Sequence, residues 1–170
     1  MKALPEYLQD FSRFGYLAGW RKGEIASLTW ADVDRDGRVI ELRPDASKNG
    51  EPRKIALEGD LREIIERRRA ARHVTTPTGE TRLTPLEFHR DGLPIGDIRK
   101  AWATACKTGG VEGKLFHDLR RTAIRNMVRA GVSETTSGGT VSDSVVNENV
   151  FGSIALGPFV SPSWSWLAEA

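Results

Sequence analysis

Residues 116–130 read Phe-His-Asp-Leu-Arg-Arg-Thr-Ala-Ile-Arg-Asn-Met-Val-Arg-Ala. Phe116, Leu119, Ala123, Met127 and Ala130 are spaced 3, 4, 4 and 3 apart, which makes one apolar stripe on an α-helix. Arg121, Arg125 and Arg129 recur every four residues on the opposite side. His117 and Arg120 lie about one turn apart beside the stripe, at the edge of the buried face. Gly131 is expected to end the helix.

Upstream, Tyr7, Phe11, Phe14 and Ala18 predict a helix over residues 4–18. Gly19 interrupts it, and residues 20–30 read as a second short helix with Arg21 on the same stripe as Ile25 and Leu28. Asp36-Gly37 and Lys48-Asn49-Gly50 are turn signals. Between and after them, residues 38–43 and 53–57 read as two strands of a hairpin with Lys48 near its tip. Leu61, Ile64, Ile65 and Arg68 mark a helix over residues 61–73, in which Glu63 and Arg67 can pair. Residues 75–80 read as a loop, and residues 83–95 as turn-rich with one strand near 86–89. Ile98, Trp102 and Ala105 mark another helix, ended by Gly109-Gly110. The expected fold class is α+β: mainly helical, with a small antiparallel sheet at one edge.

The chain has 170 residues, 28% charged and 39% hydrophobic, which suits one globular domain. No apolar run approaches the length of a membrane span, and residues 1–10 carry no secretory pattern. A single cysteine, Cys106, excludes an internal disulfide framework and implies a reducing, cytoplasmic setting. The histidines, His73, His89 and His117, are too scattered for a spaced zinc motif. Neither a metal nor another cofactor is expected, and neither a membrane nor a small-molecule substrate is an expected partner.

Charge divides the chain in two. Residues 1–132 hold all 25 Lys and Arg against 19 acids, a net of +6, whereas residues 133–170 hold four acids and no bases. The last 38 residues also contain eight serines and show no helical or strand periodicity. We therefore expect a folded unit over 1–132 and an atypical tail over 133–170, disordered or out of frame.

Four cations stand out by position. An inward-facing Arg21 needs a carboxylate or anion partner. Lys48 sits at a turn, and His117 and Arg120 share a helix edge. Together they have the composition of a phosphate site, because a guanidinium fork binds two oxygens at once. Without a metal, such cations would offset charge in phosphoryl transfer.

The segment from Phe14 through Arg21 to Ile25, the Trp30-Ala-Asp-Val-Asp34 stretch, the Lys48-Asn-Gly-Glu-Pro-Arg53 hairpin and Phe116-His-Asp-Leu-Arg-Arg-Thr122 resemble, in order and spacing, the catalytic domain of tyrosine recombinases, the phage integrase family. The resemblance covers about residues 4–132. It implies DNA strand breakage and rejoining in integration and recombination, with double-stranded DNA and other recombinase subunits as partners. It implies that Arg21 and Arg120 bind the scissile phosphate, that Lys48 protonates the leaving 5′-oxygen, and that His117 donates to the phosphate and assists proton transfer. Arg53, Arg121 and Arg125 are the expected DNA contacts. Glu24 is read as a structural partner of Arg21, and Tyr16 and Cys106 as core residues.

The family's nucleophile is a tyrosine, preceded by a Gly-His motif. Neither follows Val132, and the only tyrosines are Tyr7 and Tyr16. The family's separate DNA-clamping N-terminal domain is also missing from the match. The expectation is therefore a partial catalytic domain, inactive alone for want of its nucleophile. The alternatives are a non-catalytic DNA-binding or oligomerisation module that modulates intact recombinases, and a decayed fragment.

Overall fold

Helix α1 (Glu6–Ala18) buries Leu8, Phe11 and Phe14 completely in the computed structural model, which describes residues 2–48 and 50–130. The expected end of the last helix at Gly131 and the expected character of the tail lie outside the described residues. Each fully buried side chain of this size is worth about 1.5–3 kcal/mol, so α1 anchors the core. Its rings extend that core in both directions. Phe14 meets Trp20 edge-on at 5.7 Å and Phe88 at 5.3 Å, while Phe11 meets Phe88 at 5.8 Å and Phe116 at 5.3 Å. Phe116 in turn meets Trp102 at 5.2 Å. This chain of rings links segments from both ends of the described sequence.

Two glycines let the last helix, α5 (Phe116–Arg129), approach α1 closely. A Cβ on Gly15 would lie 3.2 Å from the Phe116 ring, and one on Gly19 would lie 3.2 Å from Ala123 Cβ. Gly19 also closes α1 in the left-handed conformation, with φ 67°. There glycine avoids a side-chain clash, and its carbonyl turns toward α5.

The second helix is shorter than its apolar spacing predicts. It runs only over α2 (Lys22–Ala26), and a separate 3₁₀ turn covers Trp30–Asp32. Ser27 Oγ donates to the Glu24 carbonyl, and Asp32 Oδ2 accepts the Thr29 N–H and hydroxyl. These local bonds satisfy backbone groups that a continuous helix would have used. Arg21 consequently precedes α2 and is half-exposed, whereas Ile25 and Leu28 are buried. The inward-facing Arg21 of the sequence reading is thus corrected.

Strands β1 (Val39–Leu42) and β2 (Arg53–Ala56) form the expected antiparallel hairpin, with Ile40 opposite Ile55 and Leu42 opposite Arg53. Helix α3 (Gly59–Ala70) packs Leu61, Ile64 and Ile65 inward. Arg67 bonds mainly to Asp10 on α1, at 2.8 Å, and meets Glu63 only at 3.7 Å. After α3 the strand content departs from expectation. Two further hairpins form, β3 (His73–Thr75) with β4 (Thr81–Leu83) and β5 (His89–Arg90) with β6 (Leu93–Pro94). The described residues hold three separate two-stranded sheets in place of one edge sheet. Leu86 lies in no strand but bridges to Thr29. Helix α4 (Arg99–Thr108) ends at Gly109 as predicted. Among the described residues, no helix is long and apolar enough to cross a membrane.

One buried acid has no counterpart in the sequence reading. Glu87 is fully buried, and neither carboxylate oxygen has a hydrogen-bond partner. Arg68, also buried, donates its Nε to the Glu87 carbonyl at 3.2 Å and not to the carboxylate. Burial, and then the charge of Asp32, push the Glu87 carboxyl up to about 8, against the partial pull of Arg68 and Arg69. Native Glu87 therefore keeps its proton across a range where the unfolded chain has lost it. Its contribution to stability is full below the ordinary glutamate value and is lost as pH rises toward about 8. His89 titrates the other way, since burial and then Arg68 lower it. We predict that the stability difference between the parent protein and Glu87→Gln shifts against the parent between pH 5 and pH 8. Urea midpoints at both pH values check this; a difference that stays constant would show that Glu87 ionises normally.

Candidate functional site

Three helical segments carry, at their third residue, an acid that reaches back to an earlier backbone N–H. Glu24 Oε2 accepts the Arg21 N–H at 2.7 Å, Asp32 Oδ2 the Thr29 N–H at 2.8 Å, and Asp118 Oδ2 the Leu115 N–H at 2.7 Å. Each is half of a capping box, which fixes where the chain enters the turn. For Glu24 the consequence goes further, because its other oxygen collects charge.

Glu24 Oε1 accepts from Arg21 Nη1 at 2.9 Å and lies 2.5 Å from Arg53 Nη2. The second contact is a close ion pair. Arg53 comes from the first position of β2 and is 7% exposed, with its guanidinium 5.9 Å from the centre of the Trp20 ring. Burial alone would raise the Glu24 carboxyl. Hydrogen bonds from Arg21 and the charge of Arg53 outweigh it, so the carboxyl is held below its ordinary value.

Arg120 completes the cluster from α5. It is buried, and its Nη1 donates to the Gly19 carbonyl at the end of α1. Burial and then the charges of Arg21 and Arg53 depress its guanidinium below the ordinary arginine value, against the opposing pull of Glu24. Two guanidiniums thus sit on one carboxylate, and a third is held at Gly19, two residues before Arg21. The carboxylate cancels one of the three charges, and the remaining positive charge is partly shielded from water. Such a site favours an anion with several oxygens.

The sequence-derived residues divide in the structure. Arg120 is bonded to Gly19, two residues before Arg21, and Glu24 pairs with Arg21. Arg53, expected as a DNA contact, lies beneath them with its Nη2 out of reach of solvent. Lys48 stands exposed in the β1–β2 connection, and His117 is exposed in the first turn of α5. Arg121 is exposed and pairs with Asp118 at 3.2 Å, while Arg125 is half-buried. Tyr16 is half-buried and not simply a core ring, since its hydroxyl accepts from Asn126 Nδ2 at 3.1 Å. Arg53 carried a readable signal. Alternation in Arg53-Lys54-Ile55 puts it on the inner face with Ile55. The Gly19 carbonyl carried none. A cleft of about 810 Å³ with Trp102, Leu115 and Phe116 in its wall lies nearby, but its lining includes none of the three arginines.

The phage integrase family matches residues 2–136, and the chain belongs to that family. The integrase of Salmonella phage P22 is 28% identical over 134 residues, covering 75% of this chain and 34% of that protein. The solved structure of the Tn1549 transposon integrase, residues 82–397, in complex with circular intermediate DNA, shares the fold with a TM-score of 0.61. That similarity is at 17% identity and covers 86% of this chain and 53% of the other. The chain therefore spans about a third of the phage protein and about half of the solved chain.

Because Glu24 is buried between two guanidiniums, removing its carboxylate strands both. We predict that Glu24→Ala destabilises the protein by about 3 kcal/mol, the scale for a broken buried ion pair. Urea unfolding measures it, and a loss near zero would show that the pairs contribute no net stability.

Proposed function

We propose that this chain supplies the phosphate-holding part of a DNA strand-breaking and rejoining enzyme, a site-specific recombinase or integrase acting on double-stranded DNA. The observation that carries this reading is the pairing of Arg21 and Arg53 on the Glu24 carboxylate, with the buried Arg120 bonded to Gly19 two residues before Arg21, which leaves positive charge in excess. The family membership and the DNA complex of the Tn1549 relative support the same substrate. A recombinase acting on cellular DNA belongs in the cytoplasm.

In this mechanism Arg21 and Arg120 hold the two non-bridging oxygens of the scissile phosphate. As the phosphorus becomes five-coordinate, charge builds on those oxygens, and the guanidiniums stabilise it where it develops. Lys48 protonates the departing 5′-oxygen, and the exposed His117 donates to the phosphate and assists proton transfer. Both lie at the edge of the fold, where DNA can reach them. Arg121 and Arg125 contact the DNA backbone further along α5, and partner recombinase subunits complete the assembly.

The attack itself needs a nucleophile. Tyr7 and Tyr16 are the two tyrosines of the sequence. Arg90 lies over the Tyr7 ring at 5.3 Å, and the Tyr16 hydroxyl is bonded to Asn126. We propose that the attacking tyrosine is not among these 170 residues, so that the chain by itself binds DNA without cleaving it.

Two measurements test this reading. Fluorescence anisotropy on a nicked duplex should show Arg120→Ala weakening binding by about tenfold and reducing the salt slope by about 0.9, the effect of one lost phosphate contact. Unchanged affinity and slope would remove Arg120 from the DNA site. On a denaturing gel the 170-residue chain should form no covalent adduct with that duplex, and an adduct mapped to Tyr7 or Tyr16 would overturn the assignment of the nucleophile.

A further inference from the structure

Arg53 differs from its neighbours in the cluster. Like Arg120 and unlike Arg21 it is buried, and its Nη2 is shut off from solvent against the Glu24 carboxylate. An atom so enclosed does not touch a DNA phosphate. Its close contact is Glu24 Oε1, the same oxygen that receives Arg21 Nη1. The Trp20 ring lies beside it, and Leu42 faces it across the hairpin. Arg53 is thus fixed by the sheet and the aromatic core, whereas Arg21 is held by Glu24 and is half-exposed toward solvent.

We infer that Arg53 is a positioning residue for the phosphate site: it anchors the Glu24 carboxylate, and through Glu24 it sets the direction of the Arg21 guanidinium. This assignment rests on the proposed phosphate-binding role of Arg21 and Arg120. Without Arg53, Glu24 would keep only Arg21. The pair would then be neutral, and the carboxylate would be free to swing with its partner. The outer arginine would close on Glu24 and offer less of its fork to an anion. With Arg53 in place, Glu24 is already compensated from below, and Arg21 keeps donor capacity facing outward. The arrangement converts a buried cation that never meets the ligand into orientation of one that does.

The test is a double-mutant cycle on the full 170-residue chain, read by anisotropy on the same nicked duplex. Arg53→Met and Arg21→Ala should each weaken binding about tenfold, and the double variant should bind no more than about twofold worse than Arg21→Ala alone. Arg53→Met combined with Arg121→Ala, at an independent contact, should show losses that multiply. Arg53→Lys keeps the charge beside Glu24 without the planar fork and should recover affinity to within about threefold of the parent. If Arg53→Met does not fold, Arg53→Lys carries the cycle, and its smaller loss should vanish in the Arg21→Ala background. Losses that multiply between positions 53 and 21 would show that Arg53 acts independently and overturn the assignment. So would normal binding by Arg53→Met when Arg21→Ala is impaired. Normal binding by both Arg21→Ala and Arg120→Ala would instead remove the phosphate-site reading, and this assignment with it.

Discussion

The Glu24 carboxylate is the constraint on which the rest of the site depends. One of its oxygens fixes the start of α2, and the other holds guanidiniums from two separate segments. Burial of an unpaired carboxylate would be costly, and burial of the Arg53 and Arg120 guanidiniums without partners more so. Each element therefore needs the others. The hairpin brings Arg53, the turn after α1 brings Arg21, and α5 brings Arg120 beside them. The arrangement overcompensates its single acid.

Packing supplies the geometry that charge alone could not. Gly15 and Gly19 lower the surface of α1 so that Phe116 and Ala123 of α5 can settle against it. The same glycine that ends α1 presents the carbonyl that receives Arg120. The aromatic chain from Trp20 to Trp102 immobilises the residues next to the site, since Trp20 precedes Arg21 and Phe116 precedes His117. Arg21 and His117, two of the polar residues of the proposed mechanism, thus follow directly on packed rings.

Much of this was legible in residue order. The stripe on α5 could be read because 14 helical residues give four turns of evidence, and the β1–β2 hairpin because the sequence signals Asp36-Gly37 and Asn49-Gly50 bracket its first apolar run. The two later hairpins were not legible, since strands of two or three residues offer too little alternation to read. The helix expected over residues 20–30 failed because Ser27 and Thr29 make local bonds that apolar spacing does not register. At the site, Arg21 and Arg120 stood out by motif. The burial of Arg53 was written in strand alternation, but a basic residue near a turn reads first as solvated. Glu87 gave no signal, because an acid beside Phe88 carries no mark of burial in sequence alone.

The central claim is that Arg21 and Arg120 together form one oxyanion site, with Arg53 held beneath it by Glu24. The most direct measurement is a crystal of the 170-residue protein soaked in tungstate, a tetrahedral dianion visible by its anomalous scattering. The account predicts one strong peak within hydrogen-bond distance of the guanidiniums of both Arg21 and Arg120, with Arg53 behind Glu24 and not touching the ion. A peak bound elsewhere with the three-arginine cluster left empty, or Arg21 and Arg120 facing separate surfaces, would contradict it.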